Sequence, residues 1–155
     1  MLLPKRQPRF ESRSQSWSTP QSLFNRLNEE FHFTIDLAAD SANAKCPVYY
    51  TAEEDALQQE WKGVCWLNPP FNSDKARLRR WVQKAFESDC VVVMLVPAHT
   101  NTNWWHTYCM KAAEIRFLHG RPKFGDAKCG LVQAIAIVVF DKSRLQPSRI
   151  RSYKV

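Results

Sequence analysis

Four consecutive residues, Asn68-Pro69-Pro70-Phe71, combine types that could do chemistry. Each proline locks its own φ and offers no N–H, and Pro70 also drives Pro69 out of the helical region. The chain just after Leu67 is therefore expected to be rigid and extended, with carbonyls that neither helix nor sheet claims. Asn68 adds a carboxamide. That is a costly way to build an ordinary turn. It is a sensible way to hold a side-chain amide and a main-chain carbonyl in fixed positions for another molecule to use.

The flanking elements must do the positioning. Apolar "VCWLN" predicts a strand running into the Pro-Pro corner, and "DKARLRRWVQKAFESD" a helix leaving it, with Leu78, Trp81, Val82 and Ala85 or Phe86 on one face. The basic residues Lys75, Arg77, Arg79 and Arg80 take the other face. Upstream, "STPQSLFNRLNEEF" predicts a helix capped by Ser18 or Thr19 with Pro20 at its first position, and apolar Leu23, Phe24, Leu27 and Phe31 at helical spacing. "FTIDLAA" and "PVYYT" read as short strands, and "EEDALQQEW" as a short helix. "CVVVMLVPA" is apolar throughout, the pattern of a strand buried on both faces. "NTNWWHTYCMKAA" predicts a helix, and "EIRFLHG" and "AIAIVVF" predict strands.

Strands alternating with helices argue for an α/β sheet that is mostly parallel. The last strand follows "RPKFGDAKCG" without a helix and is expected to be antiparallel. In open α/β sheets ligands collect beyond the carboxyl ends of the strands. Asp36, Asn68 and Pro97 are each expected at such an end.

The 155 residues suit one domain. The expected division is a basic arm over 1–16, a single domain over 17–145 and a basic tail over 146–155. No apolar run approaches the roughly 20 residues a bilayer demands, so a soluble, cytoplasmic protein is expected. Five cysteines, 46, 65, 90, 109 and 129, stand about 20 or more residues apart, with no metal-binding spacing. They read as free thiols, and no metal is expected. The net charge of +7 points to a polyanionic partner. Lys5, Arg6, Arg9 and Arg13 gather near one end; Lys142, Arg144, Arg149, Arg151 and Lys154 gather near the other. Trp104 and Trp105 read as core. His99 and His106 read as packing or capping residues.

The Asn68–Phe71 tetrapeptide matches the [DNS]-P-P-[YFW] signature of amino-group methyltransferases. In the ordered run "SWSTPQSLFNRL", "FTIDLAAD", "NAKC", "YYTAEEDAL", "WLNPPF", "VVVMLVPAHTNTNWW", "EIRFLHGRPKF" and "AIAIVVF", the chain resembles the phage-type DNA adenine-N6 methyltransferase (Dam-like) family over roughly residues 17–141. The resemblance implies a compact Rossmann-like methyltransferase sheet and S-adenosylmethionine as methyl donor. It also implies double-stranded DNA as partner and a phage or prophage protein acting in a bacterial host. It makes Asn68, Pro69, Pro70 and Phe71 catalytic. Thr19, Pro20, Asp36, Ala38, Asp55, Ala56 and Leu57 become cofactor-binding residues. Lys75, Arg77, Arg79, Arg80, Arg121 and Lys123 are the candidate nucleic-acid contacts.

The signature fits a chemical need. An exocyclic amine such as adenine N6 is a poor nucleophile because its lone pair is delocalised into the ring. Two acceptors, the Asn68 side-chain oxygen and the Pro69 carbonyl, favour a more tetrahedral nitrogen and stabilise its growing positive charge. Phe71 would stack on a flipped base. Two departures stand out. None of the four glycines (63, 120, 125 and 130) lies near Asp36, where methyltransferases usually carry a glycine-rich loop, and Phe71 replaces the commoner tyrosine. The residues leave three alternatives: a non-catalytic DNA-binding protein with this fold, methylation of RNA adenine, and methylation of protein glutamine. They do not speak to oligomeric state.

Overall fold

The computed structural model describes residues 18–71, 75–125, 130, 132–144 and 149–154. The expected N-terminal arm over 1–16 and Cys129 lie outside the described residues, as do the side chains of Lys75 and Lys154.

Helix α1 (Gln21–Phe31) buries Leu23, Phe24, Leu27 and Phe31, the four positions whose spacing announces it. The expected cap moves by one residue. Pro20, rather than Ser18 or Thr19, stands at the cap with φ −52° and ψ 131°. The Pro20 carbonyl accepts the Phe24 N–H at 3.1 Å. No side chain caps this helix, so the Thr19 hydroxyl serves elsewhere.

The other elements are β1 (Ile35–Asp36), β2 (Val64–Leu67), α2 (Lys75–Glu87), β3 (Val91–Pro97), α3 (Asn103–Thr107), β4 (Glu114–His119), β5 (Ile135–Phe140) and β6 (Arg149–Lys154). The strands form one sheet in the order β1-β2-β3-β5-β4-β6. Pairs β1–β2, β2–β3 and β4–β6 are parallel, and β5 runs antiparallel to both its neighbours. The α/β class, the mostly parallel sheet and the antiparallel "AIAIVVF" strand all match the sequence reading.

Four expectations change. "PVYYT" is reduced to an isolated bridge between Tyr49 and Asp36. "EEDALQQEW" yields a 3-10 turn, Ala56–Gln58, and "NTNWWHTYCMKAA" splits into α3 and a second 3-10 turn, Cys109–Lys111. The stretch read as a basic tail contains β6, which pairs with β4 from Glu114↔Arg149 to His119↔Lys154. "RIRSYK" has no apolar face to advertise a strand. Backbone pairing, charge and the packing of Tyr153 against the α1 cluster hold it instead.

Strand β3 explains its own composition. Val92, Met94 and Val96 pack with Leu78, Trp81 and Val82 of α2 and with Trp104 and Trp105 of α3. Val93 and Leu95 point the other way, into a cluster with Leu23, Phe24 and Leu27 of α1. Helices cover both faces, so every position must be apolar. Each such side chain contributes about 1.5–3 kcal/mol relative to exposure.

The β4–β6 edge is closed by charge. Glu114 and Arg116 are both buried. Arg116 donates to Glu114 at 3.0 Å and to Glu30 of α1 at 2.7 and 2.5 Å. Arg151 of β6 reaches Glu114 at 2.8 Å, and Arg144 does so at 3.4 Å. A buried carboxylate is tolerable only with such partners. Here they fasten α1 and β6 to β4.

Candidate active site

The register of the three parallel strands builds the site edge. Asp36 lies opposite Trp66, and Leu67 lies opposite Met94. The chain leaves β1 after Asp36, β2 after Leu67 and β3 after Pro97 on the same side of the sheet. The three expected features therefore converge.

At the centre, Asn68 Nδ2 donates to Thr19 Oγ1 at 3.0 Å. Thr19 is 3% exposed. A buried hydroxyl accepting from the amide sets the plane of the carboxamide, and with it the direction of Oδ1. Pro69 is buried and Pro70 exposed, while Phe71 is half-buried against both hydrophobic clusters.

Two cavities adjoin these residues. One, of about 330 Å³, is lined by Thr19, Pro20, Gln21, Asn43, Lys123 and Gly125 among others. The second, of about 420 Å³, is walled by Phe71, Leu78, Pro97, His99, Trp104 and Gln133, with Asn101 and Thr102 at its rim. Thr19, the hydrogen-bond partner of Asn68, belongs to the first, and Phe71 belongs to the second. Gln133 Nε2 and His99 Nε2 are hydrogen-bonded on the wall of the larger cavity.

The segment after β1 takes its shape from aspartates. Asp36 Oδ1 accepts the Ala38 N–H at 3.2 Å, and Oδ2 accepts the Lys45 N–H at 3.0 Å. Asp40 Oδ1 accepts from Ala42 and Asn43, and its Oδ2 receives the Asn43 amide. Side-chain acceptors bonded to nearby N–H groups impose turns that glycine torsions impose in other loops. Burial raises the Asp36 pKa above the ordinary carboxylate value, against the lowering effect of the Lys45 and Ala38 N–H bonds.

Asp55, Ala56 and Leu57 form the 3-10 turn and its cap. Asp55 is left-handed, with φ 44°, and accepts the Leu57 N–H at 3.3 Å. Arg77 of α2 also donates to Asp55 at 3.2 Å. One expected phosphate contact is thus tied to an expected cofactor contact. Lys84 of α2 anchors the same turn, donating to the carbonyls of Ala56, Leu57 and Gln59 at 3.1, 2.8 and 2.5 Å. Nothing in the sequence singled out Lys84 among the basic residues of that helix.

Arg79, Arg80, Arg121 and Lys123 are exposed. Lys123 lines the smaller cavity beside Thr19. Trp104 and Trp105 are buried, as expected of core residues, and Trp104 also walls the larger cavity. Gln133 escaped sequence reasoning because it belongs to no motif. No group of three metal-binding side chains occurs among the described residues, and no described helix is long and apolar enough to cross a membrane.

The fold defines an open-sheet α/β protein in which β1, β2 and β3 end at one edge, the place where such sheets collect ligands. A family model described as DNA N-6-adenine-methyltransferase (Dam) matches residues 8–154, and the chain belongs to that family. It is 29% identical over 105 residues to a DNA N-6-adenine-methyltransferase of Haemophilus phage HP1 (strain HP1c1), covering 66% of this chain and 61% of that protein. It is 31% identical over 103 residues to a DNA N-6-adenine-methyltransferase of Escherichia phage T1, covering 64% of this chain and 42% of that protein. The matches thus span less than two thirds of either relative's length.

Proposed function

We propose that the protein transfers a methyl group from S-adenosylmethionine to N6 of an adenine flipped out of double-stranded DNA. The observation that carries this reading is the Asn68 carboxamide at the carboxyl end of β2, held by Thr19, which lines one cavity, and three residues before Phe71, which lines the other. Family membership and the names of the phage relatives support the acceptor. The sheet, with one antiparallel strand inserted between β3 and β4, is read as a short Rossmann-like methyltransferase sheet.

The chain has groups that suit the cofactor. The smaller cavity is lined by the hydroxyl of Thr19, the amides of Gln21 and Asn43 and the ammonium of Lys123. That donor set fits an amino acid's carboxylate and amine. Thr19, Pro20, Asp36, Ala38, Asp55, Ala56 and Leu57 are assigned to hold S-adenosylmethionine, Asp36 by shaping the loop. When bound, the cofactor supplies an electrophilic methyl on a sulfonium.

The protein's own part is to raise the nucleophilicity of the amine. Asn68 Oδ1 and the Pro69 carbonyl accept the two N–H bonds of adenine N6, drawing its lone pair out of the ring. They then stabilise the positive charge on nitrogen as the new bond forms. Phe71 and Trp104 offer apolar surfaces to the purine, while the Gln133–His99 pair offers hydrogen-bonding groups to its edge. No strong base is needed, since the methylated ammonium is acidic enough to lose its proton to water.

Methyl transfer from labelled S-adenosylmethionine to unmethylated duplex DNA, with nucleoside analysis, tests the reading. N6-methyladenine from wild type and a loss of about 10²–10³-fold in Asn68→Ala is the expected result. Parallel assays on RNA and protein identify the acceptor. Label found only in protein glutamine or RNA would overturn the proposal.

A further inference from the structure

At the opposite end of the sheet from Asn68, two thiols meet. Cys65 is the second residue of β2, and Cys90 immediately precedes β3. Cys65 pairs with Val92, and Cys90 lies two residues before Val92, just ahead of the neighbouring strand. Their sulfurs are 3.5 Å apart. Among the described residues, Cys46 and Cys109 are also free, and both are buried.

We propose that Cys65 and Cys90 form a reversible, peroxide-reactive thiol pair. Cys90 is the half-exposed member and Cys65 is fully buried, so an oxidant meets Cys90 first. Ser88 Oγ lies 3.0 Å from the Cys90 sulfur, and the Cys65 thiol lies on its other side. The Ser88 hydroxyl and the Cys65 thiol are each placed to donate to that sulfur, an arrangement that favours its thiolate. The Cys65 contact is the larger influence lowering the Cys90 pKa, and burial works against it. Cys65 shifts upward through the same contact and through burial, and its S–H has two acceptors at 3.5 Å, the Lys62 carbonyl and the Cys90 sulfur. Nucleophile and resolving thiol are thereby distinguished by position.

The chemistry balances with a hydroperoxide as oxidant. The Cys90 thiolate attacks one oxygen of hydrogen peroxide, the O–O bond breaks, and hydroxide leaves as the sulfenic acid forms. The Cys65 sulfur then attacks the Cys90 sulfur and displaces the hydroxyl, which leaves as water with the Cys65 proton. Two thiols are oxidised to one disulfide, and one peroxide is reduced to two waters. Thiol exchange with a small reductant reverses the bond. The two positions are diagonal neighbours, so closing 3.5 Å to a bond needs backbone movement as well as side-chain rotation. Cys90 sits in the bend before β3 rather than within the strand. The pair thus gives Cys90 an alternative to irreversible sulfinic acid.

The test treats the reduced full-length chain with a small excess of hydrogen peroxide, then alkylates remaining thiols and maps peptides by mass spectrometry. The expected product carries a Cys65–Cys90 cross-link, weighs two hydrogens less, and returns to the thiol form with dithiothreitol. Cys65→Ala should leave a sulfenic acid at Cys90 that dimedone traps, and Cys90→Ser should abolish the cross-link. Because the wild-type map needs no variant, a folding defect in Cys65→Ala does not spoil the test. Cys90 unchanged or converted to sulfinic acid in wild type, or a cross-link made instead through Cys46, Cys109 or Cys129, would overturn the proposal.

Discussion

At the scale of single residues, the proposed chemistry rests on one hydrogen bond between residues far apart in sequence. In that proposal Asn68 provides the acceptor and Thr19 its orientation. Asn68→Ala removes an acceptor that acts on developing charge, and methyl transfer is expected to fall about 10²–10³-fold in kcat. Thr19→Val keeps the shape of the side chain and deletes only the hydroxyl. A hydrogen bond of this kind contributes about 1 kcal/mol, so kcat should drop by about a factor of five with the circular dichroism spectrum unchanged. Equal activity in Thr19→Val and wild type would show that packing alone orients the carboxamide. Asn68 was legible in the sequence because its significance lies in four contiguous residues. Its contact with Thr19, 49 residues away, was not, because only the approach of the segment before α1 to the end of β2 creates it.

At the scale of elements, the parallel register of β1, β2 and β3 brings three strand ends to one edge. Apolar runs ending in Asp36, Asn68 and Pro97 revealed this arrangement before any contact was known. The fastening of the elements was less visible. Lys84 holds the Ala56–Gln59 segment against α2 through three carbonyls. Lys84→Met keeps the stem but orphans those acceptors. A loss of about 1–3 kcal/mol is expected by urea unfolding, together with weaker cofactor binding by calorimetry if the turn belongs to the cofactor site. The edge strand β6 was hidden because it is held by guanidinium–carboxylate pairs rather than an apolar face. Its neighbour Glu30 has a pKa held below its ordinary value of 4.5, first by hydrogen bonds from Arg116 and against some desolvation. A depressed carboxylate pKa means that the unfolded chain binds the proton more tightly. Glu30 therefore contributes stability that is full above about its ordinary value and lost as pH falls through the lower folded value. Chemical denaturation of Glu30→Gln from pH 7 down to 3 should give a smaller acid-side loss than wild type. Identical slopes would mean that the exposed side of the pair is screened to nothing.

At the scale of the whole molecule, the relevant quantity is where the charge goes. The net +7 is not spread evenly over the surface: Arg116, Arg144 and Arg151 are committed to Glu114, and Arg77 to Asp55. Arg79 and Arg80 on α2 and Arg121 after β4 remain exposed near the candidate site's connecting segments. If they contact phosphates, log K for duplex DNA falls linearly with log salt, by about 0.9 per neutralised phosphate. Arg79→Ala/Arg80→Ala should then flatten that slope by about one to two without moving the thermal midpoint. An unchanged slope would assign DNA binding to other cations.

What the sequence alone determined is whatever is written in neighbouring residues. The proline corner follows from locked torsions, the buried β3 from an unbroken apolar run, and α1 from its 3.6-residue period. Family likeness follows from the order of such pieces. Tertiary structure alone decided which polar groups meet. A hydrogen bond acts over about 3 Å, whereas the chain positions it joins can lie anywhere along the sequence. Thr19 on Asn68, Lys84 on the Ala56–Gln59 carbonyls and Gln133 beside His99 were therefore settled by folding, as was the Asp36 loop that keeps its shape without glycine.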